Sequence, residues 1–256
     1  MAERSPFLTG AWRHLLLFNY EADPALLAPL VPAGTELDSW NGLTMVSLVG
    51  FLFAETRVLG IPVPGHQLFE EMNLRLYVRR VARDGALRRG VVFVREWVPR
   101  RAVVRMARWL YREPYVRAAM SHVRDLGTMT KDRPGFIRYS ARYGRERLSM
   151  AATLSDPPRA LLPGSEAEFI TMRGWGYTSY PNRRTMEYRV IHPAWPVGDV
   201  AGGKFDGSGA TWYGAELGRV VAGVPRSAFY APDSAISVAW RRTLGSEDVE
   251  GDRHPT

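Results

Sequence analysis

The stretch FEEMNLRLYV, Phe69 to Val78, constrains the fold more than any other part of this chain. A strand points alternate side chains to opposite faces. One row is then Phe69, Glu71, Asn73, Arg75 and Tyr77, and the other is Met72, Leu74, Leu76 and Val78. If only the oily row looks inward, this is an ordinary half-buried strand with Glu71 and Arg75 exposed as a pair. The alternation by itself favours that reading. If the polar row faces an enclosed space, it is a binding site. Arg75 can then hold a carboxylate through two parallel hydrogen bonds. Glu71 can carry a proton, its pKa set by burial against the pull of Arg75, and Asn73 can orient either one. Further layers can bury both faces of a strand, so the oily row does not exclude a cavity.

The rest of the chain reads mainly as strands. Trp12 to Tyr20 is one, and Asp23-Pro24 then caps a short helix over Ala25 to Leu30. Asn41-Gly42 predicts a hairpin between Thr35–Trp40 and Leu43–Phe53. Strands follow at Glu70–Val81 and Arg89–Trp97, then a helix from Pro99 to about Arg112 with an apolar stripe of Val103, Val104, Ala107 and Leu110. Shorter strands fit Gly135–Tyr143, Glu146–Leu154, Thr185–His192 and Ala235–Arg242. Helices fit Ser165–Ile170 and Tyr213–Val221. Turns rich in the 24 Gly and 18 Pro argue for an antiparallel barrel or sandwich with helices attached.

Composition narrows the chemistry. The absence of Cys excludes disulfides, thiolate zinc sites and a cysteine nucleophile, and fits a cytoplasmic protein. The opening MAERSPFLTG lacks the apolar run of a signal peptide, and Leu43–Phe53 is too short and too interrupted to span a bilayer. The net charge is +8, and of 34 Lys and Arg only Lys131 and Lys204 are lysines. The Arg-rich region from Arg75 to Arg112 invites a nucleic-acid reading, but it carries no recognised module, and a solvated cationic surface is favoured. No phosphate loop, nucleophile elbow or paired-His metal helix is present, so neither cofactor nor metal is expected. A second strand, TMEYRVIHPAW, sets Glu187 and Arg189 in alternation with Tyr188 and His192. His192 could titrate near neutrality or serve as a structural residue at the strand end.

Together, WRHLLLFNYEADPALLAPLVPAGTELD, FEEMNLRLYV, RGVVFVREWVPRRAVVRMARWLY and MEYRVIHPAW resemble the uncharacterised branch of the acetoacetate decarboxylase-like superfamily. The spaced Phe-x-Glu-x-Asn-x-Arg-x-Tyr-Val strand and the later His-Pro-x-Trp carry most of the likeness. The resemblance implies a mainly β (α+β) fold: one antiparallel cone-like barrel domain over residues 1–244 with a few helices packed outside; the acidic, Gly-bearing tail at 245–256 reads as disordered from its composition. It implies a small-molecule pocket faced by Glu71, Asn73 and Arg75, and is consistent with a homo-oligomer that binds neither nucleic acid nor membrane. In the decarboxylase a buried lysine forms a Schiff base with a β-keto acid. The matching place here reads Arg112-Glu113-Pro114-Tyr115, with Tyr115 where the lysine would stand. The expectation is a pocket for a small organic acid or carbonyl compound, working without a Schiff base. Glu71, Arg75 and Tyr115 would be catalytic, and Asn73, Tyr77, Phe69, Glu187 and His192 would bind substrate. If the protein is an enzyme, the chemistry is of the lyase, hydratase or isomerase type. The alternative is a ligand-binding or sensor protein without catalysis.

Overall fold

A computed structural model describes residues 5–180 and 184–245. In chain order the elements are β1 (Leu8–Glu21), α1 (Pro24–Leu27), β2 (Met45–Val58), β3 (Leu68–Val81), β4 (Leu87–Val98), α2 (Arg101–Leu110), β5 (Tyr115–Arg117), β6 (Ala119–Asp125), β7 (Gly135–Tyr143) and β8 (Glu146–Leu154). After these come α3 (Glu166–Thr171), β9 (Trp175–Tyr180), β10 (Arg184–Ile191), β11 (Ala201–Gly207), α4 (Gly209–Tyr213), α5 (Ala215–Ala222) and β12 (Ser227–Val238). Apart from Gly245, the expected tail lies outside the described residues.

The larger sheet runs β12-β1-β2-β3-β4-β9-β10. Its two end strands also meet, through Val190 opposite Val238 and Ile191 opposite Ser237. Most neighbours are antiparallel, but β9 and β5 each pair parallel with β4. Long excursions, rather than tight turns, separate these strands from β4, and only such connections can bring strands in parallel. The smaller sheet, β11-β8-β7-β6, is antiparallel throughout.

Strand β3 has no solvent face along most of its length. Met72, Leu74, Leu76 and Val78 pack under the smaller sheet and α4–α5, against Tyr139, Met150, Trp212 and Leu217. Burying each such side chain contributes about 2 kcal/mol. The covering layer is thus largely a second sheet, not the helices expected. Gly50 on β2 lets that sheet come close, since a Cβ there would lie 2.8 Å from Met150 Sδ. The opposite row of β3 faces an interior closed by α2 and α3, where Phe69 and Tyr77 pack with Val103 and Phe169.

Local signals hold where the chain is self-contained. Asp23 caps α1 by accepting from Ala25 N at 2.8 Å, and Ser165 caps α3 by accepting from Glu168 N at 3.2 Å. Asn41 and Gly42 take the left-handed turn conformation (φ 50° and 81°). The hairpin itself is reduced to one bridge, Trp40 to Leu43. Glu36 and Leu37 instead pair with Arg79 and Val78 of β3, a longer-range partner with more buried surface. The helix expected over Tyr213–Val221 is broken at Gly214 (φ 82°) into α4 and α5. The strand expected at Ala235–Arg242 is divided between the end of β12 and the short Arg242–Thr243 strand.

Two irregularities set what faces the interior. Opposite Leu74 and Arg75, β4 carries an extra residue, Val94, so that Arg75 pairs with Phe93 and Asn73 with Glu96. Without this bulge, Phe93 and Glu96 would sit on opposite faces; with it both turn inward. On β1 the register shifts between Arg13 and Leu16, at His14 (φ 55°), and both Trp12 and Leu15 face inward. Substituting Gly50→Val should lower unfolding free energy by about 1–3 kcal/mol through overpacking between the sheets, as measured by denaturant titration.

Candidate functional site

The interior row of β3 lines a cavity of about 150 Å³. A space of that order accommodates a molecule of roughly benzene size. Its wall is mostly apolar and aromatic, with Trp12, Phe51, Phe53, Phe69, Phe93 and Trp195. Phe69 stacks on Phe53 with ring centres 5.4 Å apart. Against this background the polar groups fall at two ends.

At one end, Glu71, Glu96 and Glu113 are all at least 96% buried, with relative exposures of 2%, 2% and 4%. Asn73 Nδ2 donates to Glu71 Oε1 at 3.2 Å, and the Tyr115 hydroxyl donates to Glu71 Oε2 at 3.2 Å. Thr178 and Tyr188 hydroxyls both donate to Glu113 Oε1 at 2.7 Å. Tyr188 is seated over Gly176, its cross-strand partner, where a Cβ would fall 2.1 Å from the ring. Burial pushes Glu71 up to about 7. The hydrogen bonds from Asn73 and Tyr115 oppose this, and the neighbouring Glu113 adds to it. Burial likewise pushes Glu113 up to about 7, against the bonds from Tyr188 and Thr178. Glu96 lies well above the ordinary carboxyl range, first from burial and then from the charges of Glu113 and Glu71. Burial and the same carboxylates keep the Tyr115 and Tyr188 phenols protonated, so both act as donors.

At the other end stands Arg75, 7% exposed. Its Nη2 donates to Ile170 O at 3.2 Å, and its Nε has no hydrogen-bond partner. Among the described residues it pairs with no carboxylate. A buried cation without an anion is costly. Arg173 also lines the cavity; it is paired with Asp38, and its Nη2 has no partner. His192 reaches the same region. Its ring nitrogens face Pro193 O at 2.9 Å and Arg173 O at 3.3 Å, and a neutral ring donates to one of them. Burial lowers its pKa and the Arg75 charge adds to the lowering, against the hydrogen bonds to Pro193 O and Arg173 O, which raise it; these two backbone contacts fit a structural residue at the strand end.

Two expected site residues lie outside the cavity lining. Tyr77 shares the row of Arg75 but sits past its end, with its hydroxyl on Ser47 and its ring 5.3 Å from Phe169 and 4.8 Å from Arg173. Glu187 faces away because it is five residues from His192, an odd step that reverses the face on a regular strand. It is fully buried as the hub of a cation cluster, accepting from Arg88 Nη1 at 2.6 Å, Arg242 Nε at 2.6 Å and Arg80 Nη1 at 3.4 Å. Glu96, Glu113, Arg173 and Tyr188 were not selected from the sequence. Glu113 stood two residues from Tyr115, and an acid beside Arg95 inside a largely apolar strand, VVFVREWV, was the signal for Glu96.

A family model described as an uncharacterized conserved protein, DUF2071, matches residues 9–235. The chain belongs to the DUF2071 family. The DUF2071 chain is also similar to the uncharacterized protein YqjF of Bacillus subtilis (strain 168), at 36% identity over 75 residues. That match spans 29% of this chain and 31% of YqjF. Its fold is that of acetoacetate decarboxylase. The Legionella pneumophila decarboxylase superposes with a TM-score of 0.67 at 12% identity, covering 94% of this chain and 88% of that one. An acetoacetate decarboxylase-like enzyme from Sphingomonas wittichii RW1 gives 0.64 at 16% identity, with 94% of both chains covered. The enduracididine biosynthesis enzyme MppR, complexed with the condensation product of pyruvate and imidazole 4-carboxaldehyde, gives 0.63 at 13% identity, covering 94% of this chain and 91% of that one. Among the described residues of the DUF2071 chain, no group of three or more His, Asp or Glu is placed to hold a metal ion. Among the described residues, no helix is long and apolar enough to cross a membrane.

The raised carboxyls tie stability to pH. A carboxyl whose pKa is higher folded than unfolded binds more protons in the native state, so stability falls as pH rises from about 4.5 and levels off above about 7. Thermal denaturation should therefore give a lower Tm at pH 8 than at pH 6, and Glu113→Gln should flatten that decline.

Proposed function

We propose that the cavity binds a small organic acid or carbonyl compound and transfers a proton next to its carbonyl, without a lysine Schiff base. The observation that carries this reading is Arg75, a buried guanidinium with one backbone carbonyl as its only hydrogen-bond acceptor among the described residues. A ligand carboxylate would supply the missing anion through paired hydrogen bonds in a low-dielectric setting. From Arg75, two alternate steps along β3, about 13 Å of strand, lead to Glu71. A carboxyl with pKa near 7 is matched to donate or accept a proton at physiological pH. Tyr115 would share that proton by its hydrogen bond to Glu71. Asn73 fixes the Glu71 carboxyl, and the aromatic wall excludes water.

The contact between β10 and β12 supports reading the larger sheet as a cone-like barrel with this cavity as its interior. The two lysines, Lys131 and Lys204, are exposed and do not line it. Tyr115 on the wall supports the register in which it replaces the decarboxylase lysine. Pyruvate is what MppR holds in one solved complex, and it belongs to the same chemical class. A non-catalytic carrier of such an acid would use Arg75 in the same way but would have no need of a carboxyl poised near neutrality.

The two residues separate binding from chemistry. With a panel of short oxo acids, Arg75→Ala should weaken binding by about 10- to 100-fold, the loss of a charge-assisted pair. Glu71→Gln should keep affinity within about threefold and abolish turnover, as followed by proton–deuterium exchange at the carbon next to the carbonyl. Borohydride treatment with the same acids should leave the intact mass unchanged; a covalent adduct would overturn the mechanism.

A further inference from the structure

We infer that the acidic end of the cavity receives a ligand ammonium group, which makes the ligand a small zwitterion with its carboxylate on Arg75. This deepens the reading above and rests on it. Glu96 Oε2 and Glu113 Oε2 are buried and have no hydrogen-bond partner. Asn73 Oδ1, on the lining between them and Arg75, is likewise buried and unpartnered. Asn73 Oδ1 can only accept, and the two carboxyl oxygens accept once ionised; the cations named at the other end bring none of their donors to them. A ligand that offered only acceptors would leave Asn73 Oδ1 unpaired. An ammonium group carries three donors and no acceptor, which matches three unpaired oxygens.

The geometry gives an approximate length. Asn73 and Glu96 are cross-strand partners, and Arg75 and Phe93 form the next inward-facing pair, one alternate step or about 7 Å along the strand. That spacing suits a chain of a few carbons between ammonium and carboxylate, and the cavity of about 150 Å³ accommodates a molecule of this size.

Other groups face the acidic end from every side: Glu71 from β3, Tyr115 from β5, Tyr188 from β10, and Tyr111 at the end of α2. None is a cation, so burial and mutual repulsion, with no counter-charge to oppose them, raise the pKa values of these carboxyls. When the ammonium enters it keeps its own proton. A carboxyl of Glu96 or Glu113 then loses its proton to bulk water, and the complex forms with net release of about one proton.

The test is titration calorimetry on the full chain with β-alanine, γ-aminobutyrate and δ-aminovalerate against propionate, butyrate and valerate, in two buffers of different ionisation enthalpy. At least one amino acid should bind about tenfold tighter than its deaminated partner, with about one proton released. Glu113→Gln and Glu96→Gln should erase that preference while butyrate affinity stays within about threefold. Should either variant fold poorly, the proton count on the unaltered chain decides. If no amino acid outbinds its partner while Arg75→Ala weakens both, the inference is overturned and the anion pocket stands. If none of the six compounds binds, both readings fall.

Discussion

The interior is organised by a strand that has no water on either side. The oily row of β3 is sealed under the smaller sheet, so the polar row on its other face must find partners inside the protein. Polar groups removed from water cost several kcal/mol unless paired. Asn73 Nδ2 and the Tyr115 hydroxyl satisfy the two oxygens of Glu71, whereas Arg75, among the described residues, has one carbonyl and the ring of Tyr77. That imbalance is tolerable only where the surrounding fold over-determines it, and strained or under-satisfied groups of this kind gather at functional sites.

Charge separation along one cavity follows from the same constraint. Three carboxyls brought within mutual influence in an aromatic shell cannot all ionise, so they share protons, as raised pKa values express. Among the described residues the guanidinium of Arg75 forms no ion pair with any of them. The result is a polar gradient in a mostly apolar space: proton-sharing carboxyls at one end and a cation at the other. Such a gradient orients a small ligand before any chemistry begins.

The Arg-rich composition has local explanations as well. Arg80 and Arg88 surround the buried Glu187, Arg79 reaches Glu36, and Arg95 lies over Trp97. Arg88 also stacks on Trp175, with its guanidinium 4.3 Å from the ring centre. Arg101, Arg105 and Arg108 occupy the solvent side of α2, whose other side closes the cavity. One run of cations in sequence thus becomes several separate structural jobs once strands and helix are placed.

The sequence by itself determined the elements whose signals are local. These include the two-faced strand β3, the cap and proline that start α1, the short helix near Ser165–Ile170, and β7 and β8 end to end. It also determined that one row of β3 groups Glu71, Asn73 and Arg75, because strand alternation admits no other arrangement. Only the tertiary structure decided that this row faces a cavity, since a covering sheet contributed from residues 119–207 is what removes the alternative of a solvent face. It also decided that Glu96 and Glu113 join the site. A one-residue bulge in β4 reverses the facing of Glu96, and a short parallel strand fixes Tyr115 beside Glu96. That Glu187 faces away from His192, by contrast, follows from strand parity, which the sequence already carries. Bulges and parallel pairings depend on partners distant in sequence, so no window of residues carries their signal.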